Sequence, residues 1–309
     1  MHDQATALKE RLHIHPVPKQ ILGDSNVDIC PESKPPRAQV IAVTSGKGGV
    51  GKTNIVVNLA VALSLRGRKV LVLDADFGLA NVDVLLGLAP KFHLGHFLYG
   101  EKNLRDILVM GPQGIPIIPA APGVQALSQL DDQETEKLYT ELSKLLADYD
   151  YLLIDTGAGI SENVTRLLLA SQRIIVVSSP DPTAVVDAYA VIKIVSEVNP
   201  RKTIDILIND VESAEEGARV FEQIALVTHK FLAREVHYMG YVNHDEKLGE
   251  AVREQRAVVL EFPFARSSRC FRHLAMAMAP RPTRQDNPGS RLTLANNPSS
   301  NPTESVCPS

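Results

Sequence analysis

The stretch Val40-Ile-Ala-Val-Thr-Ser-Gly-Lys-Gly-Gly-Val-Gly-Lys-Thr-Asn-Ile-Val-Val-Asn-Leu59 decides the fold of this chain. It opens with an apolar, β-branched run from Val40 to Thr44, which predicts a buried strand. A glycine-rich turn follows, and an apolar-periodic helix is predicted to begin near Lys52. A strand, a glycine turn and a helix in this order predict a loop that binds phosphate groups.

The turn matches the phosphate-loop pattern G-x-x-x-x-G-K-[ST] at its two ends, Gly46 and the run Gly51-Lys-Thr53. Glycines let successive backbone N–H groups turn toward an anion, and the start of the helix adds free N–H groups and a positive dipole end. The pattern assigns Lys52 to the β- and γ-phosphates and the Thr53 hydroxyl to Mg²⁺. The predicted ATP-binding set in this loop is Gly46, Lys47, Gly48, Gly49, Val50, Gly51, Lys52, Thr53 and Asn54.

Two further apolar runs end in aspartate, Val70 to Asp74 and Tyr151 to Asp155. The second matches the Walker B pattern, and because a hard cation prefers carboxylate oxygens, Asp155 is predicted to hold Mg²⁺ directly or through a water. The segment Thr156-Gly-Ala-Gly-Ile160 follows at once, and its glycines suit a switch that rearranges around a γ-phosphate.

Apolar strands alternate with helical patterns along the chain, with further strand–helix units predicted over 173–198, 204–231 and 238–254. Such alternation predicts an α/β fold: a single P-loop NTPase domain whose mostly parallel sheet has helices on both faces. Nucleotide is then expected at the carboxyl ends of the strands.

Composition restricts the class of protein. The chain has 309 residues, a net charge of −4 and three cysteines that form no C-x-x-C pair, Cys30, Cys270 and Cys307. The negative net charge argues against bulk or sequence-specific nucleic-acid binding. The cysteine spacing indicates neither a disulfide framework nor a zinc site. The sequence shows no secretory signal and no apolar run near the roughly 18 residues that a membrane span needs, so we expect a cytoplasmic protein.

Proline content and polarity divide the chain into four predicted segments. A helix-capable segment over 1–12 precedes a proline-rich linker over 13–39, an ATPase domain over 40–279 and a polar tail over 280–309. The tail has six prolines and little apolar content, which predicts disorder.

The end of the domain allows two interpretations. Phe264, Phe271, Leu274 and Met278 are predicted to share one helical stripe with arginines beside it. The helix can close the core, or it can lie as a basic amphipathic helix on an anionic membrane.

A second lysine in the loop, Lys47, makes the chain resemble the deviant Walker A ATPases of the MinD/ParA family. That resemblance implies that Lys47 reaches across a nucleotide-sandwich dimer to the partner's ATP. It also identifies Ala75-Asp-Phe-Gly-Leu-Ala-Asn-Val-Asp83 as switch I, in which Asp76 would orient or deprotonate the attacking water and Asp74 would be structural. Asn209, at the end of its strand, would meet the adenine ring.

Four segments are similar to the FlhG/FleN subgroup of flagellar-number regulators: Asp3-Gln-Ala-Thr-Ala-Leu8, Pro182 to Lys193, Ala214 to Phe221 and Phe231-Leu232. The resemblance implies a slow Mg-dependent ATPase that forms a homodimer with ATP and controls flagellar number or placement. Through the first segment, with Gln4 as its key polar residue, it implies stimulation of an FlhF-like signal-recognition-type GTPase. Flagellar switch-complex proteins and transcription regulators are further implied partners.

Departures from the family pattern leave alternatives open. The family's Ile-Pro-x-Asp is replaced by Val242-Asn-His-Asp245, and its membrane-targeting helix by the polar tail after Pro280, so peripheral membrane contact stays undecided. A division-site or partition ATPase of the MinD/ParA type is one alternative. An ATP-stabilised binding module that antagonises a transcription regulator is another.

Overall fold

The computed structural model describes residues 38–76, 81–120 and 132–278. The predicted activation helix over 1–12 with Gln4, nearly all of the linker and the predicted tail over 280–309 lie outside these residues, as does part of the predicted switch I. Within the described residues, none of the helices is both long enough and apolar enough to cross a bilayer.

One eight-stranded sheet organises the described residues, with strand order β3-β4-β2-β5-β1-β6-β7-β8. Every pairing is parallel except that of β3 with β4, which is antiparallel at one edge. The mostly parallel sheet agrees with the prediction from the sequence. The strands are β1 (Gln39–Thr44), β2 (Val70–Ala75), β3 (Val109–Met110), β4 (Pro116–Ile118), β5 (Tyr151–Thr156), β6 (Arg173–Ser178), β7 (Thr203–Val211) and β8 (His237–Asn243).

Helices connect the parallel strands and cover both faces of the sheet, with boundaries within one or two residues of those predicted for the units after β5. They are α1 (Lys52–Ser64), α2 (Val82–Leu85), α3 (Leu94–Leu98), α4 (Asp132–Leu145), α5 (Glu162–Ala170), α6 (Pro182–Val198), α7 (Ala214–Leu232), α8 (Glu246–Arg253), α9 (Val258–Glu261) and α10 (Arg266–Met278).

The core consists of two apolar clusters, one on each face of the sheet. Neighbouring residues of β1 alternate between them: Ile41 and Val43 belong to one cluster and Ala42 to the other. All six residues of β2 and of β5 are buried, as expected for central parallel strands. Because both faces of the sheet are buried, we expect ligands to bind at the carboxyl ends of the strands.

The last helix, α10, closes the core on the α1 side. Phe271, Leu274 and Met278 are buried against it, which confirms the interpretation as a closing helix. The prediction that Phe264 shares this stripe was wrong. The helix begins only at Arg266, and Phe264 lies in the preceding turn with 82% of its surface exposed.

The first strand and the last helix come together at the amino ends of the central strands, opposite the end that carries the phosphate loop. Gln39, at the start of β1, pairs with Tyr151 at the start of β5. The hydroxyl of the same Tyr151 donates a hydrogen bond of 2.9 Å to the carbonyl of Met278, the last residue of α10. The two ends of the described domain are therefore tied to one residue.

Candidate nucleotide-binding site

The phosphate loop joins β1 to α1 in the conformation that its glycines predict. Gly49 and Gly51 have φ of 82° and 91°, a region that L side chains rarely adopt. Gly51 occupies the N-cap position of α1 without any side-chain cap, so no side chain occupies the first N–H groups of the helix. An anion with several oxygens fits this arrangement.

Lys52, the first residue of α1, is buried at the base of the loop. Burial lowers the pKa of its ammonium, while the charges of Asp155 and Asp76 act in the opposite direction. The side chain therefore sits between the phosphate loop and the two acidic strand ends. From this position a lysine can bind a phosphate chain and still contact the carboxylates beside it.

The other loop lysine has quite different surroundings. The Lys47 side chain is 30% exposed, and its ammonium lies 2.6 Å from Asp181 Oδ2 and 2.7 Å from the Thr183 hydroxyl, both at the start of α6. Hydrogen bonds from Lys47 and then Thr183 lower the pKa of Asp181 to about 2. Lys47 is thus held outside the phosphate cradle, by residues of its own protomer.

Close packing fixes the loop against α6. A Cβ on Gly46 would lie 2.2 Å from the backbone carbonyl carbon of Asp187, a distance that no side chain tolerates. A Cβ on Gly48 would meet nothing within 4 Å. Gly46 is therefore required for helix packing, whereas Gly48 leaves space in front of the loop.

Two buried aspartates end the neighbouring strands β2 and β5. Burial raises the pKa of both Asp74 and Asp155 to about 7. Asp74 accepts hydrogen bonds from the backbone N–H groups of Asp76, Asn81 and Val82, and this fixes the described residues near the two ends of switch I. Such contacts support the structural role predicted for Asp74.

Asp155 is bound quite differently. Both of its carboxylate oxygens are buried without a hydrogen-bond partner among the described residues. The nearby Thr53 hydroxyl only partly offsets the rise of the Asp155 pKa caused by burial. A carboxylate and a hydroxyl side by side at the phosphate loop are suitable oxygen donors for Mg²⁺. The residues present therefore fit the predicted metal site, and Asp155 and Thr53 are the ones that would hold the ion.

Asp76, the predicted water-orienting residue, lies one residue past β2 beside the predicted switch II. A Cβ on Gly157 would come within 3.5 Å of Asp76 Oδ1, so the carboxylate lies directly above this glycine. Switch II is tied to the loop by the N–H of Gly159, which donates a bond of 2.9 Å to the Ser45 carbonyl. Asp76 and Asp155 thus approach the loop from the β2 and β5 side.

Buried polar atoms without a hydrogen-bond partner are concentrated around the phosphate loop. Six buried side-chain oxygens without a hydrogen-bond partner in the described protein lie at the carboxyl ends of strands or at the start of α1. Buried oxygens normally have a partner, and here a ligand with its metal and water would supply one. They belong to Thr44, Asn54, Asp155 (two oxygens), Ser178 and Asn209.

Known proteins match this chain in both sequence and fold. Residues 38–208 match the family model of the AAA domain. The chain is 44% identical over 237 residues to the antiactivator FleN of Pseudomonas aeruginosa, covering 77% of this chain and 85% of the relative. It is 38% identical over 217 residues to the flagellum site-determining protein YlxH of Helicobacter pylori, covering 70% and 73%. The fold matches the septum site-determining protein MinD of Pyrococcus horikoshii complexed with Mg-ADP, with a TM-score of 0.66 and 25% identity over 78% of this chain and 96% of that one.

This chain belongs to the MinD/ParA family of P-loop ATPases. Its similarity to FleN and YlxH places it among the flagellar-number regulators of the FlhG/FleN type.

Asn209 of this MinD/ParA chain lies where the adenine contact was predicted, at the carboxyl end of β7, but it also braces the loop. Its Nδ2 donates a bond of 2.9 Å to the Val50 carbonyl, and a Cβ on Gly51 would lie 2.5 Å from the same nitrogen. Its Oδ1 is buried and has no partner in the described protein. The adenine contact stays a prediction, with Oδ1 as the available acceptor.

Sequence reasoning missed the partners of Lys47. Asp181 accepts a hydrogen bond of 2.8 Å from the Thr183 N–H as the N-cap of α6, and Pro182 follows as the first helical residue. Asp followed by Pro is a readable start signal for a helix. It indicates the cap but not the contact with a loop 134 residues earlier.

Proposed function

We propose that this protein is an ATP-dependent switch that dimerises around two Mg·ATP and controls flagellar number or placement. The observation that carries the proposal is the division of labour between the two loop lysines. Lys52 is buried in its own cradle, whereas Lys47 is partly exposed and held outside it by Asp181. A lysine in that position is available to a second subunit, because freeing it requires exchanging only a surface ion pair.

Hydrolysis of ATP to ADP and phosphate would reset the switch. Asp76 would orient or deprotonate the attacking water, and Lys52 would hold the β- and γ-phosphates. The Mg²⁺ held by Asp155 and Thr53 would neutralise charge on the phosphate oxygens. Because the second Lys47 arrives only in the dimer, we expect slow turnover in the isolated protein.

Molar mass in solution tests the switch. We expect a monomer with ADP and a dimer with ATP, most clearly in Asp76→Ala, which should bind ATP without hydrolysing it. Lys47→Ala should bind ATP and stay monomeric. If the mass is the same in both nucleotides, the protein is instead an ATP-stabilised binding module.

The biological output follows from the relatives. FleN is named an antiactivator and YlxH a flagellum site-determining protein, so the changed surface of the dimer is expected to act on flagellar assembly or on its transcription regulator. Flagellar switch-complex proteins are further proposed partners. Deletion of the gene should change the number or position of flagella, and Lys47→Ala should reproduce the deletion. A normal flagellar pattern with a defect in septum placement or plasmid partition would indicate the alternative MinD/ParA functions.

We also propose that the segment 1–12 stimulates an FlhF-like GTPase through Gln4. The support is the resemblance of Asp3 to Leu8 to the activation motif. GTP turnover by such a GTPase should rise on addition of the full chain and lose the increase with Gln4→Ala. Gln20→Ala, in the predicted linker, is the matched control. Equal stimulation by both variants would contradict the proposal.

Membrane attachment is tested separately. We propose a cytoplasmic protein, with contact at the inner face of the membrane restricted to the ATP-bound dimer. Sedimentation with anionic vesicles in ATP and in ADP measures this. Sedimentation that is the same in both nucleotides would contradict a nucleotide-controlled contact.

A further inference from the structure

The outer face of α10 carries positive charge that the described protein does not neutralise. The helix contains three arginines and no acidic residue, although the whole chain has a net charge of −4. Its apolar side is buried in the core, so Arg266 and Arg269 are exposed and Arg272 is partly exposed. None of the three has a carboxylate within 4.0 Å among the described residues.

Some surface arginines have a carboxylate partner: Arg105 pairs with Asp148 at 3.1 Å, and Arg256, close to α10 in sequence, pairs with Glu261 at 2.8 Å. Other described arginines lack such a partner, and α10 differs in carrying three arginines on one helix without an acidic residue. The nearest capping carboxylate, Asp245, is engaged by the N–H and hydroxyl of Ser267, each at 2.9 Å. Arg266 and Arg269 therefore remain available to groups outside the described domain, while Arg272 donates to a backbone carbonyl.

An exposed aromatic residue lies two positions before the first of these arginines in the sequence. Phe264, with 82% of its surface exposed, is the most exposed of the large apolar side chains in the described residues. Its turn is fixed because the Ala265 N–H donates a bond of 3.0 Å to the Phe262 carbonyl and the Arg272 guanidinium donates to the Pro263 carbonyl. An exposed phenylalanine on a fixed turn costs little entropy to bury against a partner.

The spacing of the exposed residues gives the surface its shape. Arg266, Arg269, His273 and Met276 are three or four residues apart and share one side of the helix. They span about 15 Å. Met276, 55% exposed, ends this row of cationic and imidazole side chains, and Phe264 precedes the row by two residues in the sequence.

We propose that this arginine face, defined by Phe264, Arg266, Arg269, Arg272 and Met276, docks an acidic protein segment that also carries an apolar side chain. All three of its cations are arginines, whose planar guanidinium groups bind carboxylates in a bidentate way that lysine does not match. Arginine together with an aromatic residue is the composition of energetically dominant contacts in protein interfaces. None of these side chains belongs to the nucleotide site, so the inference does not depend on the switch proposed above.

A lipid surface fits this face less well. The apolar side of α10 is committed to the core, so the helix cannot insert it between lipids in the way an amphipathic helix does. Apolar side chains remain only at the two ends of the row. A partner with discrete carboxylates therefore fits the face better than a continuous anionic surface.

Binding of a synthetic peptide to the full chain tests the proposal. The probe is a fluorescent helical peptide with glutamates three and four residues apart and one leucine, and its counterpart has glutamine at each glutamate. The glutamate peptide should bind more tightly, and its affinity should fall on raising the salt from about 50 to about 500 mM because exposed charges are screened. Arg266→Glu/Arg269→Glu should weaken binding by about tenfold or more, and Phe264→Ser by about threefold or more.

A matched charge change provides the control. Arg219→Glu/Lys230→Glu alters the same number of exposed cations on α7 and should leave peptide affinity within about twofold. Unchanged melting temperatures and ADP binding in all variants would show that they fold.

Three outcomes would overturn the inference. The first is equal affinity for the glutamate and glutamine peptides, and the second is equal loss in both double variants, which would indicate net charge alone. The third is binding to phosphatidylserine vesicles, sensitive to Arg266→Glu/Arg269→Glu, without binding to the peptide, which would assign the face to the membrane.

Discussion

The Lys47 ammonium lies 2.6 Å from the Asp181 carboxylate of the same subunit. The residue proposed to act on a partner subunit therefore forms an ion pair within its own subunit when no partner is present. Dimerisation and this ion pair therefore compete for one charge. The competition gives the switch a resting state that depends on α6 as well as on the phosphate loop.

Releasing Lys47 should favour the dimer. Asp181→Asn removes the charge but keeps a side chain that caps α6. The ATP concentration at half-maximal dimerisation should fall by about two- to fivefold, the range expected for an exposed ion pair. Light scattering across an ATP titration measures this. Asp210→Asn, which removes another surface carboxylate 2.7 Å from His244, should have no such effect. A higher ATP concentration at half-maximal dimerisation in Asp181→Asn would contradict competition between the Lys47–Asp181 ion pair and the dimer.

Stability of the nucleotide-free protein should decline as pH rises from about 4 to 7. Burial raises the pKa of Asp155 and Asp74 from 3.8 to about 7, so the folded state keeps protons that the unfolded chain loses in this window. Their contribution is most favourable below pH 3.8 and is lost as pH approaches 7. Asp155→Asn should flatten this part of the dependence in thermal melts from pH 5 to 8. An identical slope in wild type and variant would exclude Asp155 as a source.

Affinity for Mg²⁺ with ADP should show the opposite pH dependence. A protonated Asp155 cannot bind the metal well, so affinity should increase from pH 6 to pH 8 as its proton is lost. Calorimetric titration with Mg·ADP, compared with ADP in EDTA, separates the metal from the nucleotide. A similar increase without metal would show that another group is responsible.

Two glycines of one loop should respond differently to the same methyl group. Gly46→Ala places a Cβ 2.2 Å from the Asp187 backbone and should destabilise the nucleotide-free fold by about 3 kcal/mol or more. Gly48→Ala meets no atom within 4 Å and should leave the melting temperature nearly unchanged. Equal melting temperatures for the two variants would show that the loop does not depend on α6.

The two phenylalanines near α10 provide a similar contrast. Phe271 is fully buried, and Phe271→Ala should cost about 3–5 kcal/mol in the free energy of unfolding. Phe264→Ala should change it by less than about 0.5 kcal/mol, because the side chain is 82% exposed. Urea denaturation of both variants gives the comparison. A large loss of unfolding free energy in Phe264→Ala would show that Phe264 packs in the core with Phe271 after all.

Local patterns in the sequence predicted the parts of this protein that local physics decides. The phosphate loop, the apolar strands and the aspartates at their ends are each readable within a dozen residues. The parallel sheet then brings Asp76 and Asp155 to the edge where Gly46 to Thr53 lies. The sheet therefore followed from the sequence, and so did the position of these residues at one end of it.

Contacts between distant segments did not follow. The sequence around Lys47 does not predict Asp181 as its partner, because the contact depends on how α6 packs against Gly46. The assignment of Phe264 to the core failed for a local reason. A stripe of matching period continues past the true helix start, and the turn at Pro263 redirects the side chain to solvent.

Tyr151 touches both ends of the described domain, through its pairing with Gln39 and its bond to the Met278 carbonyl. A short loop joining these ends should therefore be possible, and a circular permutant opened at the exposed turn around Gly67 should fold and bind nucleotide. The same geometry means that segments appended before β1 or after α10 attach at the edge remote from the phosphates. Evolution can exchange such attachments, and with them the partners of the switch, without disturbing its chemistry.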